Sequence, residues 1–139
     1  MPDYRTIDHT ADFGIEVTAK DFKALFVKAA AAMFDCIARP LSRKKCSKKI
    51  QTKIVLEEEN SHELFLRWLA ELLSLSECND IVFTEFNLRT LTEKKLEAIV
   101  FGTPRGCFRF IREIKAVTYH DLVVKKEARR YYARVIFDV

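Results

Sequence analysis

Residues 14–37 read GIEVTAKDFKALFVKAAAAMFDCI, and two hydrophobic periods meet inside them. Over 14–19, Ile15, Val17 and Ala19 alternate with polar neighbours, the period of a half-buried strand. From residue 22 onward, Phe22, Leu25, Phe26, Ala29, Met33, Phe34 and Ile37 fall on one helical face. Asp21 stands between the two patterns with a short carboxylate suited to an N-cap. The spacing therefore predicts a strand over 14–19 and a helix over roughly 22–38. Arg39-Pro40 closes the helix, because the residue before proline is pushed out of the α region.

The same strand-then-helix order recurs downstream. Ile50, Thr52, Ile54 and Leu56 alternate within residues 48–57, and Glu57 to Asn60 reads as a turn. Ser61 is placed to cap a second helix near 62–76, with Leu64, Phe65, Trp68, Leu69, Leu72 and Leu75 on its apolar stripe. Beyond it the pattern is strand-like, over 82–88, 96–100, 116–124 and 131–138, with a charged turn at Lys125–Arg130. Each helix has one stripe to cover, and the strands accumulate at the end. This predicts an α+β fold in two layers, with both helices on one face of a mostly antiparallel sheet. The whole of residues 1–139 reads as a single domain. No Gly-rich loop joins a strand to a helix, which disfavours a doubly wound nucleotide-binding fold.

Composition narrows the class further. Apolar residues are 49% and charged residues 32%, which sets aside disordered and low-complexity chains. No run approaches a membrane span, and Met1–Asp12 lacks the apolar centre of a signal peptide. Cys36, Cys46, Cys78 and Cys107 form no Cys-x-x-Cys pair. These features predict a cytoplasmic protein with reduced thiols and no membrane partner. The net charge of +4 conceals blocks: residues 36–56 hold seven bases and no acid. That block suits either a polyanion patch or a strand edge kept soluble by lysine. No aromatic residue interleaves it to stack on bases, which favours the second reading.

No phosphate-cradling loop, His-Glu-x-x-His helix or nucleophile elbow is present, so no catalytic residue is assigned. His9 and His120 each neighbour an acid, while His62 sits beside a helix cap as a surface residue. Two polar sites remain. Asp8-His9-Thr10-Ala11-Asp12 precedes the first strand, and Arg134-Val135-Ile136-Phe137-Asp138-Val139 is a strand running to the last residue. There the Asp138 carboxylate would lie one residue from the α-carboxylate of Val139. Two such anions call for solvent, a basic side chain or a hard cation, and oxygen-only ligands favour Ca²⁺ or Mg²⁺ over zinc.

At these residues the sequence resembles the archease family. Asp8-His9-Thr10-Ala11-Asp12-Phe13-Gly14 is similar to its opening motif, and Trp68-Leu69-Ala70-Glu71-Leu72-Leu73 to its second helix. Glu113-Ile114-Lys115-Ala116-Val117-Thr118-Tyr119-His120 and Ala133 to Val139 resemble its two closing strands. The stretch Thr103 to Arg112, basic and aromatic, departs from the family pattern.

The resemblance implies a small accessory protein without a reaction of its own. Its partner would be the RtcB-type RNA ligase of tRNA splicing and RNA repair, with RNA met indirectly through that ligase. The ligase is guanylylated on a histidine with GTP and Mn²⁺, and the accessory protein promotes guanylylation, permits multiple turnover and broadens nucleotide use. By resemblance the functional residues are Asp12, Lys115 and Asp138. Asp12, Asp138 and Val139 would hold a divalent cation, Ca²⁺ first, with Mg²⁺ or Mn²⁺ as substitutes. The competing reading is a stand-alone RNA-binding module using the basic 39–53 block and the basic C-terminal third.

Overall fold

Asp21 does cap the first helix: its carboxylate accepts the Ala24 N–H at 2.7 Å. Helix α1 spans Phe22–Ile37 and α2 spans Ser61–Asn79. The computed structural model describes residues 4–8, 12–41, 46 and 48–139. The cap of α2 lies one residue earlier than expected, because the Asn60 side chain, not Ser61, accepts the Glu63 N–H at 2.9 Å. Asp80, left-handed at φ 54°, ends that helix.

Nine strands accompany the helices among the described residues. They are β1 (Tyr4–Asp8), β2 (Asp12–Ala19), β3 (Ala38–Pro40), β4 (Ile50–Glu57), β5 (Ile81–Leu91), β6 (Lys95–Pro104), β7 (Phe108–Phe110), β8 (Ala116–Glu127) and β9 (Arg130–Asp138). A single 3-10 turn, Arg105–Cys107, precedes β7. Every pairing is antiparallel. The α+β class with two helices on antiparallel strands thus holds. The strands divide, however, into a four-stranded sheet β1-β2-β9-β8, a three-stranded sheet β4-β6-β5 and a two-stranded ribbon β3-β7.

The division follows from how much of α1 is apolar. Its buried residues include Ala29, Ala30 and Ala32 as well as Leu25, Phe26, Met33 and Phe34, which is wider than one stripe. Such a helix needs cover on more than one side. It packs on β2 and β9 of one sheet and on β5 of the other. Helix α2 likewise touches β8, β4 and β5, and the buried Trp68 Nε1 donates to the Phe26 carbonyl at 3.0 Å, tying the helices together. Alternation names strands but not their sheet, so the single sheet expected from sequence becomes two sheets and a two-stranded ribbon.

The cysteines also depart from expectation. Cys46 and Cys107 are joined in a disulfide across 61 residues, whereas reduced thiols were expected. Cys36 is buried and free, and burial pushes its thiol pKa up; Cys78 is exposed and free. No helix among the described residues is long and apolar enough to cross a membrane.

One glycine is required by a close approach. Gly14 faces Ile136 across β2 and β9, and a Cβ there would lie 2.7 Å from the Val135 carbonyl oxygen and 2.6 Å from Ile136 Cδ1. The backbone oxygen cannot yield without moving a central strand. Gly14→Ala is therefore expected to lower unfolding stability by about 1–3 kcal/mol, the usual cost of overpacking. Urea titration followed by circular dichroism measures it, and an unchanged midpoint would show that β9 shifts freely.

Candidate functional site

The strand β2 begins where β9 ends, and the register puts Asp12 directly opposite Asp138. On the other side of β9, Asp138 faces Ala116, and the Lys115 N–H donates to the Asp138 carbonyl at 2.7 Å. Three of the residues singled out from sequence thus meet at one end of the four-stranded sheet. Val139 follows Asp138 and is exposed. His9, Thr10 and Ala11 of the opening motif lie outside the described residues, as does the side chain of Asp8.

Each polar residue is held by a buried neighbour. Phe13, Ile114 and Phe137 belong to one hydrophobic cluster, and they adjoin Asp12, Lys115 and Asp138 respectively. Alternation does the rest: burying those three side chains turns the adjacent Asp12 and Asp138 outward. Directly opposed residues of an antiparallel pair have Cβ atoms about 4.5–5.5 Å apart, and like charges there repel. Neither carboxylate forms an ion pair among the described residues, and Lys115 has none either. Lys115 lies just before β8 with its side chain exposed, and its contact with Asp138 runs through its main-chain N–H.

Two facing, unpaired carboxylates are hard oxygen donors and fit a divalent cation of the Ca²⁺ or Mg²⁺ kind. Among the described residues no group of three or more His, Cys, Asp or Glu side chains converges to complete a cage. The remaining ligands would have to be main-chain oxygens, such as those of Val139, or water.

Arg112 is the residue that sequence reasoning missed. Its guanidinium carbon lies 3.8 Å from the centre of the Phe13 ring, and Nη1 donates to the Cys36 carbonyl at 3.2 Å. The Ile111 and Arg112 N–H groups both donate to the Ile37 carbonyl, at 2.9 and 3.3 Å. One arginine therefore satisfies carbonyls at the end of α1, where the helix dipole favours a cation, and braces the residue after Asp12. The basic character of 103–112 was visible in sequence; its target 76 residues away was not.

The other flagged histidine pair is ordinary. His120 Nε2 and Asp121 Oδ2 are 3.3 Å apart, but both side chains are well exposed on an irregular stretch of β8.

Residues 4–139 match the model of the archease protein family (MTH1598/TM1083), a span that takes in Asp12, Lys115 and Asp138. The chain belongs to the archease family. It is 34% identical to the archease of Methanosarcina barkeri, over 98% of this chain and 95% of the relative. To the archease of Methanopyrus kandleri it is 31% identical over the full length of both. The solution structure of Methanobacterium thermoautotrophicum protein 1598 is similar with a TM-score of 0.74 and 28% identity, covering 100% of both chains. A Thermotoga maritima protein described as an archease and possible chaperone shares the fold at a TM-score of 0.66, with 17% identity over 97% of this chain and 96% of that one.

Proposed function

We propose that this archease is a non-catalytic activator of an RtcB-type RNA ligase, serving tRNA splicing and RNA repair. The observation that carries the reading is the meeting of Asp12, Asp138 and Lys115, drawn from three separate family motifs, at one end of one sheet. Asp12 and Asp138, with main-chain oxygen from Val139, would hold the divalent cation, Ca²⁺ first. A cation there neutralises the facing carboxylates and supplies a fixed positive centre for a phosphate-bearing group. Lys115, a compact mobile cation next to them, engages a phosphate or an acidic patch of the ligase. Among the described residues no nucleophile or general base accompanies this cluster besides its own carboxylates, which supports a protein that acts through its partner's chemistry. The description of the Thermotoga relative as a possible chaperone suits a protein that works on another protein's state.

The test is guanylylation of a cognate RtcB-type ligase by GTP, with and without catalytic amounts of this chain. Stimulation supports the activator role; an unchanged rate at every ratio ends it. Lys115→Ala is expected to remove most of the stimulation while leaving Ca²⁺ binding near normal, because its contact with Asp138 runs through the main chain and survives the substitution. Lys115→Arg recovers only part, since a planar fork replaces a point charge poorly in a tight site. A Lys115→Ala protein as effective as the parent returns this residue to a solvated strand end.

A further inference from the structure

The basic block of 36–56 lacks an aromatic of its own, and the fold supplies one. Residues 103–112 add Arg105, Arg109 and Arg112, again with no acid. The ribbon β3-β7 lays these two acid-free stretches side by side, and the Cys46–Cys107 disulfide and the Leu41 N–H to Cys107 carbonyl bond at 3.0 Å clasp them. In that ribbon Arg39 stands directly opposite Arg109. Opposed like charges are unfavourable, unless an anion lies over both. Arg39 has only Asp35, at 3.6 Å, and the Arg109 side chain has no partner among the described residues.

The other side of the ribbon offers a ring. Phe110 is 36% exposed, and the Arg105 guanidinium lies 4.0 Å from its ring centre. Both line a cleft of about 410 Å³ together with the apolar Ile37, Leu73 and Ile114 and the acidic Glu77 and Glu113. Cations that grip a backbone on one face of a two-stranded ribbon, with an exposed aromatic and a cleft of base-accommodating size on the other, are the components of a single-strand nucleic-acid site whose occupant crosses the ribbon. The cations here are all arginine, whose fork matches phosphate, whereas lysine dominates the rest of the basic block. An acidic protein partner would use the arginines equally well but would gain nothing from the ring.

We infer that the β3-β7 ribbon is a contact surface for single-stranded RNA, with Arg39 and Arg109 on phosphates and a base seated in the cleft against Arg105 and Phe110. The surface is distinct from the Asp12–Asp138 end of the sheet and binds RNA without the ligase.

Fluorescence anisotropy of a labelled oligouridylate of about 12 nucleotides, with the full-length oxidised chain alone, tests this. Two phosphate contacts give a log–log salt slope of about −1.4, so affinity should fall about 7-fold between about 50 and about 200 mM salt. Arg39→Ala or Arg109→Ala should each make the slope shallower by about 0.7. Phe110→Ala should weaken binding on the order of tenfold and leave the slope unchanged. Circular dichroism checks that each variant folds; should Phe110→Ala fail, Phe110→Leu keeps the apolar contact and removes the aromatic face. The paired Lys125→Ala, Lys126→Ala variant, on the distant β8-β9 hairpin, should bind as the parent does. No binding at micromolar protein overturns the inference. So does a hairpin variant that loses as much as the ribbon variants, since binding is then diffuse charge. An oligoglutamate peptide that competes as well as RNA, with Phe110→Leu silent, also overturns it in favour of an acidic protein partner.

Discussion

Reducing the Cys46–Cys107 bond is expected to lower the thermal midpoint by about 10–15 °C. The bond closes a loop with a sequence separation of 61, so most of the chain's middle third is constrained when unfolded. Chain entropy at that loop length is worth about 4 kcal/mol. A domain of this size gains about 0.3 kcal/mol/K of entropy at its midpoint, which converts that figure into the shift stated. Calorimetry with and without a phosphine reductant measures it, and the Cys46→Ser, Cys107→Ser double variant should reproduce the reduced midpoint without reductant. A reduced protein that melts within about 2 °C of the oxidised one would show that the bond constrains no long loop in the unfolded chain. The β3-β7 ladder survives reduction because its own hydrogen bonds remain.

The helices and long strands were legible because each carries its own period. Ile15-Val17-Ala19 is buried together, Asp21 caps α1, and Leu64, Phe65, Trp68, Leu69 and Leu72 of α2 are buried as the spacing required, while Leu75 is half-buried and Leu66, Leu73 and Ser76 widen the face. The short strands β1, β3 and β7 were not legible. Tyr4–Asp8 is mostly polar, and Ala38–Pro40 and Phe108–Phe110 are three residues each, too few to show a period. They exist through their partners, β2 for the first and each other for the last two. Long-range choices were also out of reach. Nothing local tells Cys46 to find Cys107 when four cysteines allow several pairings, and nothing local sends Arg112 to the carbonyl of Cys36. The Asp12–Asp138 register lay between these extremes. Periodicity could place each carboxylate at a strand end, and only the resemblance to a family put the two ends together.

Asp12→Ala and Asp138→Ala are each expected to abolish ligase stimulation, returning guanylylation to its unstimulated rate, while the protein stays folded. The folding half follows from position. Asp138 is exposed, its contact with Lys115 runs through the main-chain carbonyl, and that bond persists when the side chain is cut to Cβ. Removing one of two opposed carboxylates also relieves a repulsion, so the stability change should stay within about 0.5 kcal/mol. The functional half follows from charge. If the pair acts by holding a cation, Asp138→Asn must fail as completely as Asp138→Ala, because a neutral amide keeps the shape but not the field. Calcium titration by calorimetry should then show an affinity loss of about 10–100-fold for both variants. Rescue by asparagine would mean that the carboxylate serves as a hydrogen-bond acceptor for the ligase, with no cation involved. An Asp138→Ala protein unfolded at room temperature would instead make the pair a structural element of the β2-β9 end. In that case, any loss of stimulation would follow from the loss of the sheet that also carries Lys115.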